Sequence, residues 1–122
     1  MAYILVIDDD DQFRKFVTSM LVREGYEAEG AHDGYVGMAM CIERLPDLVV
    51  TDIVMPEKEG LGTIADLKAE FPDMKIIAVS GFASKGPEDY LTLAEKLGAS
   101  YSFSKPFERD EFLSAVEELV GR

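Results

Sequence analysis

Asp8 and Asp9 open a run of four aspartates, and Asp52, Ser80 and Lys105 each close or follow a short apolar run farther along the chain. Carboxylates brought together repel one another, so either some hold protons or a cation neutralises them. The ligand atoms on offer are all oxygens, which selects a hard cation: magnesium first, with manganese or calcium as alternatives. Magnesium held by few carboxylates keeps positions for waters and phosphate oxygens. A lysine ammonium and a serine hydroxyl suit the remaining oxygens of such an anion. Asp52 closes the run Leu48-Val49-Val50-Thr51 and is the candidate nucleophile, since a carboxylate can accept a phosphoryl group as an acyl phosphate. Phosphoryl transfer asks mainly for positioning and charge neutralisation, and these parts supply both. Each residue alone has a plainer reading. Asp10 or Asp11 can cap a helix, Ser80 can sit in a turn, and Lys105 can be a solvated charge. The case for chemistry rests on all of them reaching one place.

Whether they do depends on the elements that carry them. Tyr3–Asp8, Asp47–Asp52 and Lys75–Ser80 are Ile- and Val-rich runs without polar alternation, the pattern of strands buried on both faces of a parallel sheet. Tyr26–Ala31 and Ser100–Ser104 alternate, which suits sheet edges. Between the runs lie helical periods: Phe13, Phe16, Val17, Met20 and Leu21; Val36, Ala39, Met40 and Leu45; Leu61, Ile64, Ala65 and Leu67; Tyr90, Leu91, Leu93, Ala94 and Leu97; Phe112, Leu113, Val116, Leu119 and Val120. Gly25 and Gly98 serve as stops. Strands alternating with helices predict an α/β fold, a doubly wound five-stranded parallel sheet flanked by five helices. Two alternating edges and three buried runs fit the order 2-1-3-4-5, a common doubly wound order whose ligand crevice lies beyond the carboxyl ends of strands 1 and 3. Asp8, Asp52, Ser80 and Lys105 all belong to strand ends on that rim.

Composition narrows the function. Of 122 residues, 48% are hydrophobic, enough for a core without a disulfide or zinc staple. Twenty-four acidic against twelve basic residues give a net charge of −12, which disfavours nucleic acid and anionic membrane as partners. One cysteine, Cys41, excludes an internal disulfide framework and fits a reducing, cytoplasmic setting. It is expected to be a small core hydrophobe, and His32 is expected to face solvent.

The motifs Ile4-Leu5-Val6-Ile7-Asp8-Asp9-Asp10, Val49-Val50-Thr51-Asp52-Ile53-Val54-Met55-Pro56, Ala78-Val79-Ser80-Gly81 and Lys105-Pro106-Phe107 follow in order at the strand ends. With them the chain resembles the receiver (CheY-like) domain of two-component response regulators over essentially its whole length. The resemblance implies a single receiver domain over residues 1–122, with no output domain among them. Asp52 would be the phosphoacceptor. Asp8, Asp9, Asp52 and the main-chain carbonyl of Val54 would bind Mg²⁺. Ser80 and Lys105 would contact the phosphoryl group. A histidine kinase or histidine phosphotransfer protein would be the donor, and the domain would speed its own phosphorylation rather than act as an enzyme on a separate substrate. Output would pass to a protein target through the fourth helix, strand 5 and the fifth helix. The family also implies a cis Lys105–Pro106 bond.

Two departures from the family pattern bear on the switch. The aromatic residue usual three positions before the lysine is replaced by Ser102, flanked by Tyr101 and Phe103. The stretch Gly81–Pro87 is about three residues longer than usual, a lid or partner contact if it is more than a neutral insertion. Ser80, Ser102 and Phe82 therefore make the candidate switch set, and Val54 and Phe82 are expected to overhang the site. Rival readings are a flavin carrier, whose phosphate loop would favour Ser, Thr and Gly over aspartates; a phosphatase using Asp8 as nucleophile; and a receiver-like interaction module that is not phosphorylated.

Overall fold

The computed structural model describes residues 1–53, 60–81 and 87–121; of residues 60, 61 and 87–91 only the backbone is described. The elements are β1 (Tyr3–Ile7), α1 (Asp11–Arg23), β2 (Glu27–Ala31), α2 (Gly34–Glu43), β3 (Leu48–Asp52), α3 (Gly60–Glu70), β4 (Ile76–Ser80), α4 (Pro87–Leu97), β5 (Tyr101–Ser104) and α5 (Arg109–Val120). The strands form one sheet in the order β2-β1-β3-β4-β5, and every pair is parallel. The strands that the three apolar runs form, β1, β3 and β4, are buried at every position and occupy the centre, while the two alternating runs take the edges. The edge assignment follows from hydration: only an edge strand can keep polar side chains and one row of backbone groups near water.

Period-2 geometry sends alternate strand residues to opposite faces. Leu5, Ile7, Val49, Ile76 and Ala78 pack with Cys41, Ile64, Leu67 and Ala94, so α2, α3 and α4 cover one face. Ile4, Val6, Val50, Ile77 and Val79 pack with Val17, Leu21, Phe112 and Val116, so α1 and α5 cover the other. Gly25 and Gly98, the predicted stops, hold φ of 95° and 122°, backbone that glycine adopts without steric cost.

The helical periods are right, but some of their predicted core members are not. Phe16, Leu45, Leu93 and Leu97 are exposed, as is Ala39. In α2 the sheet is met instead by Gly34, Gly37 and Cys41. The reason is close approach: a Cβ on Gly37 would lie 2.4 Å from the Ile7 Cδ1 atom. The backbone of α2 itself presses on β1; Val36, Met38 and Met40 pack half-buried at the flanks, and Tyr35 and Ile42 turn outward.

Candidate functional site

Parallel strands bring their carboxyl ends to the same rim, and pairing sets the heights. Ile7 pairs with Thr51, Asp52 with Val79, and Ser80 with Ser104. Asp8, Asp52, Ser80 and Lys105 thus leave four neighbouring strands within two residues of the same level. Asp8, Asp9 and Asp52 each offer a carboxylate oxygen, and these oxygens all lie within 4.8 Å of one another. Asp8 and Asp52 are buried, and Asp9 is exposed.

Lys105 reaches in from the far side of the cluster. Its Nζ donates to Asp8 Oδ2 at 2.8 Å and stands 3.5 Å from Asp52 Oδ2. Its backbone N–H donates to the Ser80 carbonyl at 2.7 Å, which fixes the start of the side chain beside β4. The Lys105–Pro106 bond is cis, as the family resemblance implies. Burial pushes the Lys105 ammonium down, but its hydrogen bond to Asp8 and the charges of Asp52 and Asp8 outweigh that, and the net shift is upward. Asp8 is also displaced upward, chiefly by burial, against the pull of Lys105 and the Asp10 N–H. The remaining Asp8 oxygen accepts that N–H at 2.9 Å. Ser80 is fully buried, and its hydroxyl donates to the Gly81 carbonyl at 3.2 Å.

The aspartates of the first loop divide their work. Asp10 is the helix cap: its carboxylate accepts from the Gln12 and Phe13 N–H groups and starts α1. That leaves Asp8 and Asp9 for the cluster. Val54 and Phe82, and most of the Gly81–Pro87 stretch, lie outside the described residues.

Two neighbours of the cluster were not singled out by sequence. Phe13 lies beneath the Lys105 ammonium, its ring centroid 4.0 Å from Nζ, which stabilises the cation where carboxylates alone do not surround it. Arg14 donates from Nη1 to the Asp8 carbonyl at 2.7 Å and from Nη2 to Asp11 at 2.6 Å, so it ties the loop that presents Asp8 to the first turn of α1. Its stem runs over Gly30, where an added Cβ would lie 2.8 Å from Arg14 Cδ. Phe13 was visible only as a helix-face residue, and Arg14 has no sequence signal because its partner is a main-chain atom.

The donor set fits a hard divalent cation: oxygen ligands only, close enough to share one ion, with three carboxylates against a single ammonium. No second cluster of this kind occurs among the described residues. No helix there is long and apolar enough to cross a membrane. His32 is exposed beside Asp33, and Cys41 is buried, both as expected.

Comparison with known proteins agrees with this geometry. The family model for the response regulator receiver domain matches residues 4–117. The DNA-binding dual master transcriptional regulator RpaA of Synechocystis is 31% identical over all of this chain, which spans 50% of that protein's length. The sporulation initiation phosphotransferase F of Bacillus subtilis is 28% identical over 96% of this chain and 92% of its own. A crystal structure of a response regulator receiver domain protein from Clostridium thermocellum superposes with a TM-score of 0.91 at 29% identity, covering 100% of this chain and 96% of that one. The sheet order, the acidic rim and these relatives agree, and the chain belongs to the receiver domain family of two-component response regulators.

Proposed function

We propose that this receiver takes a phosphoryl group from the phosphohistidine of a histidine kinase or histidine phosphotransfer protein onto Asp52. The observation that carries the reading is the seat of Asp52. It is 6% exposed at the end of a central strand, beside two further carboxylates, with the Lys105 ammonium 3.5 Å away. An Asp52 oxygen forms the new O–P bond as the donor's N–P bond breaks, and the departing imidazole keeps that electron pair. Lys105, held by Asp8, is placed to pair with a phosphoryl oxygen. The Ser80 hydroxyl gives up the Gly81 carbonyl and donates to the same anion. Asp8, Asp9, Asp52 and the main-chain carbonyl of Val54 would hold Mg²⁺. When bound, the ion offsets the negative charge of the carboxylates and the incoming phosphoryl oxygens. The domain promotes its own phosphorylation and later hydrolysis, with no separate substrate turned over.

The decisive experiment is incubation with a small phosphodonor and Mg²⁺, followed by intact-protein mass. One phosphoryl group is expected on the wild type and none on Asp52→Asn. An Asp52→Asn protein phosphorylated at the wild-type rate would overturn the assignment.

Output through α4, β5 and α5 is supported by Leu93 and Leu97, both exposed on α4. The net charge of −12 favours a protein target over nucleic acid. For the switch, both aromatic neighbours of Ser102 are committed elsewhere. Tyr101 donates its hydroxyl to Glu118 at 2.6 Å, and Phe103 packs against Phe107 and Phe112 with ring centroids 5.9 Å apart in each pair. Ser102 faces the opposite side of the sheet and donates to Glu95 of α4 at 2.6 Å. We therefore place the moving part at Ser80, Phe82 and the start of α4.

A further inference from the structure

α2 departs from the rule that a helix covering one face of a sheet carries polar residues on its outer side. Its sequence, Gly-Tyr-Val-Gly-Met-Ala-Met-Cys-Ile-Glu, holds one charged residue, Glu43. α5, by contrast, turns Asp110, Glu111, Glu117 and Glu118 to water. The inward side of α2 is already occupied by Gly34, Gly37 and Cys41 against the sheet. What remains outward is an apolar stripe at helical spacing. Tyr35 is 63% exposed, Ile42 67%, and Leu45 just past the helix end 59%. Beside Ile42, a groove of about 370 Å³ runs between α2 and α3, lined by Met38, Ile42, Asp66, Ala69 and Glu70. Glu70 also borders the neighbouring hollow that Leu45 and Phe71 line.

The charges around this stripe choose the occupant. Glu43, Asp66, Glu70 and Asp73 are exposed along it. Of the nearby cations among the described residues, Arg44 is engaged with Glu27 at 2.6 Å and 2.8 Å, Lys68 donates to the Met74 carbonyl at 3.1 Å, and Lys75 stands at the far end. A second copy of this chain would bring the same acids, and a net charge of −12, against them. Anionic lipid and nucleic acid are repelled for the same reason. An apolar groove with an acidic rim fits an amphipathic helix whose apolar residues recur at i, i+3, i+4 and i+7 and whose flanks are basic.

We propose that the α2–α3 groove is a docking site for a basic amphipathic helix of a partner protein. The site lies on the face of the sheet opposite α1 and α5 and uses neither the aspartate cluster nor the α4, β5 and α5 face. Its success or failure is therefore independent of the role given to Asp52.

The probe is a fluorescein-labelled leucine–lysine peptide with leucines at i, i+3, i+4 and i+7. Binding is followed by anisotropy in 150 mM NaCl and mapped by amide NMR shifts. Saturable binding is expected, with shifts concentrated in 35–45 and 62–71. Ile42→Gln with Leu45→Gln should weaken it at least ~10-fold, and Glu70→Gln should weaken it and flatten its salt dependence. Phe16→Gln, an exposed apolar residue on α1, should leave it within about twofold. All four positions are exposed, so the fold should tolerate these changes, which circular dichroism checks. Equal binding of a peptide with serine in place of leucine would reduce the contact to net charge and overturn the proposal. So would shifts confined to α1 or α4, or a wild-type dimer in sedimentation that Ile42→Gln dissolves, which would make a second copy the occupant.

Discussion

Burial acts on one side chain of the molecule, Cys41, and crowding by like charges on another, Asp9. Burial in the apolar layer between α2 and the sheet pushes the Cys41 thiol from 9.0 up to about 11. The folded state thus keeps a proton that the unfolded chain releases first. The contribution is complete below pH 9 and is lost as pH rises toward 11. We expect wild-type stability to fall more steeply than that of Cys41→Ala in this interval, measured by urea unfolding. We also expect a thiol reagent at pH 8 to label Cys41 only as fast as the protein opens. The other case is Asp9, the exposed member of a cluster whose two buried members already share Lys105. Its removal relieves repulsion without leaving an unpaired buried group. Asp9→Ala should melt at the wild-type temperature or higher without metal, and millimolar Mg²⁺ is expected to raise the melting temperature of the wild type but not of Asp9→Ala. Asp9→Ala with undiminished Mg²⁺ stabilisation would remove Asp9 from the ligand set.

At the scale of elements, the contact of α2 with β1 sets two effects against each other. Glycine within a helix costs about 1 kcal/mol relative to alanine. Gly37→Ala would therefore stabilise an isolated α2. In the fold, the new Cβ meets Ile7 Cδ1 at 2.4 Å and Cγ1 at 2.9 Å, and Ile7 is fully buried. Overpacking of that kind costs about 1–3 kcal/mol, which exceeds the helical gain. Gly37→Ala is expected to lower unfolding stability by roughly 1–2 kcal/mol on balance. A stabilised Gly37→Ala would mean that the helix can lift off the strand. The aspartate loop has a similar contact, since Arg14 crosses the β2 edge to the Asp8 carbonyl over Gly30, where a Cβ would lie 2.8 Å from its Cδ.

Across the whole molecule, the end of β4 joins the rim to the β5 edge of the sheet. Ser80 is the last residue of that strand, and its carbonyl holds the Lys105 backbone. On the far side, β5 is pinned twice, by Tyr101 to Glu118 and by Ser102 to Glu95. A signal that moves Ser80 therefore meets a fixed strand on one side and the connection to α4 on the other. With a phosphoryl mimic at Asp52 and Mg²⁺ present, amide exchange is expected to change most in 81–90 and least in Tyr101–Ser104. The reverse pattern would show that Tyr101 or Phe103 breaks its contacts and carries the switch.

Strand count, strand order and the identity of the rim residues were legible in the sequence, because each is encoded locally. Burial on both faces demands unbroken apolar runs, edges tolerate alternation, and a parallel sheet puts every carboxyl end on one side. Asp8, Asp52, Ser80 and Lys105 could therefore be assembled from position, and Asp9 was added by the family resemblance. What only the tertiary structure decided depends on the distance between elements. The period of α2 gave a helix but not its closeness to the sheet, which the missing side chain at Gly37 allows, since a Cβ there would lie 2.4 Å from Ile7 Cδ1. Asp10 rather than Asp11 became the cap through the geometry of one turn. Arg14 joined the site through a main-chain carbonyl, and Phe13 through the space beneath an ammonium, and neither kind of partner leaves a mark in residue type.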